Sequence, residues 1–167
     1  MPGKVDPNGL YRSEGMNAIL PYMPDTHTVL VIDDDEPVRM LCRLDLGYEG
    51  FDVVEARDGA EGLDKATEQH PDVIVLDRMM PVMDGLTVLR ELGRNPETST
   101  IPVLMLTARA LPSDRLESWI AGAAAHLDKP FAIQELTDTV RRLAQMTPAE
   151  LRAHRADMLT RVRELAS

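Results

Sequence analysis

Five apolar runs of strand length recur along the middle of this chain: Val29–Ile32, Phe51–Ala56, Val73–Leu76, Val103–Leu106 and Ala124–Leu127. Several are apolar on consecutive residues rather than on alternate ones. That pattern belongs to strands covered on both faces, as in parallel sheets flanked by helices. The stretches between and after them, Pro37–Leu46, Ala60–Gln69, Gly85–Arg94, Ser113–Ala121 and Ile133–Gln145, have helical character. Gly59, Pro71, Pro81, Pro96, Pro102, Pro112 and Pro130 fall between elements, where turn chemistry puts them. Five βα units predict an α/β domain, with a parallel sheet covered by helices on both sides.

The regular pattern spans residues 27–146. Residues 1–26 hold four prolines and three glycines with no sustained period, and they read as an irregular arm. Residues 147–167 read as a further helix. Thr147-Pro148-Ala149-Glu150 has the form of a capping box, with Thr147 at N-cap and Glu150 at N3. Leu151, Met158, Leu159, Val162 and Leu165 then make one apolar stripe. Such a stripe folds back on the domain, pairs with a second copy or binds a partner.

Charge narrows the function. The chain carries −10 in total. The arm contributes −1 and the last segment +1, so residues 27–146 hold −10 by themselves. A body this acidic repels nucleic-acid phosphates but attracts a divalent cation. The expectation is therefore no direct nucleic-acid contact. The single cysteine, Cys42, excludes an internal disulfide framework and reads as a small apolar side chain on a helix. No apolar run reaches the roughly 20 residues that span a bilayer, and the arm has no apolar signal core. No membrane contact and a cytoplasmic location are expected.

Ligands of open parallel sheets bind at the carboxyl ends of the strands. Asp33-Asp34-Asp35-Glu36 follows the first run, Asp77 the third, Thr107 the fourth, and Lys129 with Pro130 the fifth. Clustered carboxylates repel one another unless a proton or a cation joins them. An all-oxygen cluster suits Mg2+. Carboxylates, a hydroxyl and an ammonium on one rim can align a phosphoryl group and cancel the charge on its oxygens. Asp77, alone at the tip of the third run, is the best nucleophile for an acyl phosphate. Competing readings fail. No glycine-rich phosphate loop follows the first run, and Met79 stands where an aspartyl phosphatase places its general acid. Met79-Met80-Pro81-Val82-Met83 offers thioethers without other soft donors, so it is a loop rather than a copper site. Glu36 is read as solvated and Asp35 as helping to cap the first helix. Asp84-Gly85 is read as a turn and helix start, Trp119 as packing on or near the fourth helix, and His154 as carrying no phosphotransfer role.

The segments VLVIDDDEPVR, VIVLDRMMPVMDG, LMLTARA and HLDKPF, in this order and at these strand ends, resemble the receiver domains of bacterial two-component response regulators, of the single-domain, CheY-like kind. The resemblance runs from His27 to Met146. It implies a flavodoxin-like, doubly wound five-stranded parallel sheet with strand order 2-1-3-4-5, here with an extra C-terminal helix. It implies Asp77 as phosphoacceptor. Asp34, Asp77 and the backbone carbonyl of Met79 would ligate Mg2+, with Asp33 holding a metal-bound water. Thr107 would be the switch hydroxyl and Lys129 the partner of the phosphoryl group, with the Lys129-Pro130 bond cis. The family usually has Tyr or Phe three residues before the lysine. Here His126 stands there, either as a switch residue whose charge responds to pH or as an ordinary surface side chain. Met79 and Arg109 occupy positions that tune the lifetime of the phosphoryl group.

The expected function is a single-domain response regulator that catalyses only its own phosphorylation and dephosphorylation. The donor would be a histidine kinase or a histidine phosphotransfer protein, and an unidentified downstream protein would read the signal. A homodimer through the fourth and fifth units or the C-terminal helix is a further expectation. The alternatives are a phosphorylation-independent scaffold, a fragment whose output domain is missing, and a phosphohydrolase acting on exogenous substrates.

Overall fold

The computed structural model describes residues 10–12, 19–21, 26–108 and 111–167. Two short strands lie in the arm, β1 (Leu10–Arg12) and β2 (Ile19–Pro21). They pair antiparallel, Tyr11 opposite Leu20. The arm is thus not wholly irregular. Strands of three residues are too short to show a period, and the prolines around them read as breakers.

The domain then runs β3 (Thr28–Ile32), α1 (Glu36–Tyr48), β4 (Asp52–Ala56), α2 (Gly59–Gln69), β5 (Val73–Asp77), α3 (Gly85–Arg94), β6 (Val103–Thr107), α4 (Pro112–Ile120), β7 (Ala125–Asp128), α5 (Ile133–Ala144) and α6 (Pro148–Leu165). The five strands form one parallel sheet in the order β4-β3-β5-β6-β7. This is the 2-1-3-4-5 order of the flavodoxin-like fold. Element boundaries fall within a residue or two of the sequence reading, as helix and strand ends commonly do.

The consecutive apolar residues divide by parity. Leu30, Ile32, Ile74, Leu76, Val103 and Met105 face one layer, with Ala66 of α2, Val88, Leu89 and Leu92 of α3, and Trp119 of α4. Val29, Val31, Val73, Val75, Leu104 and Leu106 face the other, with Cys42 and Leu46 of α1 and Leu136, Val140 and Leu143 of α5. Successive strand side chains point to opposite faces, so a strand buried on both must be apolar throughout. Every residue of β5 and β6 is buried. Cys42 is fully buried, and desolvation pushes its thiol up to about 12, so it stays a neutral apolar side chain.

The last helix folds back on its own domain. Its capping box forms as expected: Thr147 Oγ1 accepts from the Glu150 N–H at 3.2 Å, and Glu150 accepts from the Thr147 N–H at 2.8 Å. Leu151 packs in the α1–α5 layer, whereas Met158, Leu159 and Val162 pack in the α2–α3–α4 layer. The His154 ring donates to the carbonyl of Ala124 at 2.6 Å. Arg155 donates to the carbonyls of Ser99 (3.0 Å) and Ile101 (3.4 Å). These carbonyls precede β6 and β7, so α6 crosses beneath the amino ends of those strands, opposite the carboxylate rim. Leu165 departs from the expected stripe: it is exposed. Among the described residues no helix is long and apolar enough to cross a membrane.

Candidate functional site

The sheet order reverses at β3, which has β4 on one side and β5 on the other. Chains leave such a point in opposite directions and open a crevice at the carboxyl ends. Asp33 and Asp34 leave β3 there, and Asp77 ends β5. Their carboxylate oxygens lie within 4.8 Å of one another. Asp33 is fully buried and Asp77 nearly so, while Asp34 is exposed at the rim.

Each buried carboxylate is held in place. Asp33 accepts the Asp35 N–H at 2.9 Å on one oxygen and Lys129 Nζ at 3.0 Å on the other. Lys129 also donates to Asp77 Oδ1 at 3.1 Å. The Met79 N–H points at that oxygen from 3.5 Å, and Met79 itself is exposed on the loop beside the site. Lys129 comes from the turn after β7, where its N–H bonds the Thr107 carbonyl at 2.7 Å and the bond to Pro130 is cis. Glu36 is exposed, as expected. Asp35 sits at the N-cap of α1, but its side chain makes no capping bond; the backbone N–H of Asp35 serves Asp33 instead. Asp84 does cap α3, accepting from the Thr87 N–H at 2.8 Å. Arg109 lies outside the described residues.

Burial, then the neighbouring charge of Asp33, push the Asp77 carboxyl up to about 6 against the pull of Lys129. Burial also works against the Lys129 ammonium. Its hydrogen bond and charge interaction with Asp33, and those with Asp77, prevail and hold it above the ordinary lysine range. One ammonium thus offsets two buried carboxylates, and a third stands at the rim. This excess of hard oxygen donors fits a divalent cation of the Mg2+ type, which would return Asp77 to its anionic form.

Thr107 ends β6 and is buried. Its hydroxyl donates to Asp128 Oδ1 at 3.1 Å. Asp128 in turn is held by Arg115 of α4, whose Nη2 reaches both carboxylate oxygens. A second arginine, Arg78, directly follows Asp77 and also reaches α4. It donates to Ser118 Oγ at 3.3 Å and lies 3.7 Å from the Glu117 carboxylate. Sequence reasoning singles out neither Arg78, Arg115 nor Asp128. The adjacency of Asp128 to Lys129 and of Arg78 to Asp77 is the available signal; Arg115 has none.

His126 is not a surface side chain. Its ring nitrogens are buried without hydrogen-bond partners among the described residues. Its ring meets the indole of Trp119 edge-on, centroids 4.6 Å apart. Trp119 is itself buried, so it presents no partner-binding patch. Desolvation, then the Arg115 charge, depress the His126 pKa to about 4. Burial thus favours the neutral ring at physiological pH. The unfolded chain takes up the proton near 6.5 and the folded chain only near 4. Stability present above 6.5 is thus lost as pH falls toward 4, by an upper bound of about 3 kcal/mol. His126→Phe, which keeps the ring contact, is expected to remove that loss. Urea unfolding at about pH 7 and about pH 4.5 measures it: the variant should lose about 2 kcal/mol less than the native chain over the interval.

A family model described as the response regulator receiver domain matches residues 29–141 of this chain. The chain belongs to the response-regulator receiver family. The receiver is 43% identical over 122 residues to the response regulator MprA of Mycobacterium avium, covering 73% of this chain and 53% of that protein. It is 41% identical over 119 residues to RpaA of Synechocystis, named as a DNA-binding dual master transcriptional regulator, covering 71% of this chain and 49% of RpaA. It thus spans about half the length of these curated relatives. Among solved structures it resembles the Vibrio cholerae chemotaxis protein CheY4, with TM-score 0.69 and 34% identity over 71% of this chain and 99% of that one. It also resembles the receiver of the Pseudomonas aeruginosa sensor kinase PA1611, solved with magnesium in its active-site cleft, with TM-score 0.68 and 29% identity over 73% of this chain and all of that one.

Proposed function

We propose that this receiver accepts one phosphoryl group on Asp77 from the phosphohistidine of a histidine kinase or histidine phosphotransfer protein, and signals by changing the protein it binds. The observation that carries the reading is the Lys129 ammonium bridging Asp33 and Asp77 at 3.0 and 3.1 Å beside a third carboxylate. A carboxylate oxygen of Asp77 attacks phosphorus, the phosphorus–nitrogen bond breaks, and the donor imidazole, protonated on its other nitrogen, takes the bonding pair and leaves as the neutral ring. Asp34, Asp77 and the Met79 carbonyl would hold Mg2+, with Asp33 on a metal-bound water; bound there, the ion supplies charge neutralisation to the transferring oxygens. Lys129 supplies a second positive charge, and Thr107 a hydroxyl donor. The cycle ends in hydrolysis of the acyl phosphate, so the chain catalyses only its own modification.

The acidic body favours protein over nucleic-acid partners, although one relative is named as DNA-binding. The apolar stripe of α6 is buried largely against its own domain, where the helix packs on α4, so a homodimer or a target would use β7, α5 and the part of α4 that α6 does not cover. A cytoplasmic setting accords with the kinase donor. The reading is tested by calorimetric titration of beryllofluoride, an acyl-phosphate mimic, with Mg2+ present. Saturable binding at one site is expected, lost on chelation and lost in Asp77→Asn. Binding that survives Asp77→Asn would overturn it, and no binding to the native chain would favour the phosphorylation-independent scaffold.

A further inference from the structure

The resting hydrogen bond of Thr107 has an acceptor that the proposed phosphoryl chemistry does not use. Thr107 is buried, and its hydroxyl donates to Asp128 Oδ1 at 3.1 Å. A hydroxyl carries a single proton, so it donates to one acceptor at a time. Donation to Asp128 and donation to a phosphoryl oxygen on Asp77 therefore exclude each other. Asp128 is kept on station from the other side. Arg115 Nη2 reaches both of its oxygens, and the register Thr107↔Asp128 between β6 and β7 places the two residues side by side. The Lys129 N–H bond to the Thr107 carbonyl closes the same pair of strand ends at 2.7 Å.

We infer that Asp128 is a positioning residue that holds the Thr107 hydroxyl away from the phosphoryl site, and that Arg115 fixes Asp128 in that role. The inference rests on the proposed phosphoryl acceptance at Asp77. The acceptor sets a threshold: the phosphorylated state must outcompete an ionised carboxylate for the one hydroxyl proton. Removing the carboxylate lowers that threshold. The Asp128 side chain is 59% exposed, so water screens much of its pull on the hydroxyl. The effect is accordingly about three- to tenfold in affinity for an acyl-phosphate mimic rather than the larger factor of a buried charged acceptor.

The test is a double-mutant cycle read by calorimetric titration of Mg2+–beryllofluoride on the full chain. Asp128→Ala is expected to tighten binding about three- to tenfold relative to the native chain. In a Thr107→Val background, which lacks the hydroxyl, the same substitution is expected to change nothing. Arg115→Met frees Asp128 from α4 but leaves the acceptor, so it should tighten binding by less than Asp128→Ala does. Three results would overturn the inference. One is unchanged or weaker binding in Asp128→Ala; another is equal tightening with and without the Thr107 hydroxyl. The third is Arg115→Met tightening as much as Asp128→Ala, which assigns the effect to anchoring of α4. Failure of the native chain to bind the mimic would instead strike the phosphoryl-acceptor reading beneath it.

Discussion

Gly85→Ala is expected to destabilise the receiver by about 3 kcal/mol or more and to disable the phosphoacceptor with it. A Cβ at this first residue of α3 would sit 2.2 Å from the Asp77 carbonyl oxygen and 2.8 Å from the Arg78 Cα. Both are backbone atoms and cannot rotate aside. The Gly85 N–H also donates to the Arg78 carbonyl at 2.9 Å, which pins the start of α3 onto the chain leaving β5. Relief must displace either the helix or the strand end that carries Asp77. The gain in helix propensity, about 1 kcal/mol at most, does not offset that. Gly47→Ala in α1 is the control: nothing lies within 4 Å of its added Cβ. It should stabilise by about 0.5–1 kcal/mol. Urea midpoints of the two variants should therefore move in opposite directions, and equal small shifts would show that the α3–β5 approach is not as tight as described.

Lys129→Met is expected to move two properties of the site in opposite directions. Lys129 is the ammonium between Asp33 and Asp77, and it helps to hold down an Asp77 pKa that burial and Asp33 drive up. Without it, a divalent cation meets no competing positive charge, so Mg2+ affinity should rise several-fold. Phosphoryl acceptance loses a positioned charge on the transferring oxygens and should slow by about 100-fold. Calorimetric Mg2+ titration and the rate of mass gain from a small acyl-phosphate donor read the two effects separately. A fall in both would mean that the lysine is needed to assemble the site rather than to stabilise the transfer. An unchanged rate would remove it from the chemistry.

Much of the fold and of the site is legible in the sequence, for a physical reason. A parallel sheet buried on both faces leaves continuous apolar runs, and the chemistry of such a sheet collects at the run ends. Asp33, Asp34, Asp77, Thr107 and Lys129 all stand at or just after the end of a run, and the fold brings them to one rim. What periodicity does not supply is the strand order, which comes from the likeness of the motifs. Side-chain partnerships across elements are equally invisible to it. Arg78 to Ser118, Arg115 to Asp128 and the Thr107 hydroxyl to Asp128 each join residues 13 to 40 positions apart. His126 illustrates the limit most clearly. A polar residue near a strand end suggests either a switch or a solvated side chain. Its environment, a buried position edge-on to Trp119 and near the Arg115 charge, depends on where α4 lies, and no local pattern states that. The α6 stripe is legible as a stripe, but its target is not. Only the packed domain shows the helix crossing from one layer to the other beneath β6 and β7.

Every step of the proposed cycle passes through Asp77 as a single phosphoryl acceptor. The most direct measurement is intact mass after incubation with Mg2+ and a small acyl-phosphate donor, for the native chain and for Asp77→Asn. A gain of one phosphoryl group is expected in the native chain, absent when the metal is chelated and absent in the variant. A gain in Asp77→Asn equal to that of the native chain would contradict the assignment of Asp77.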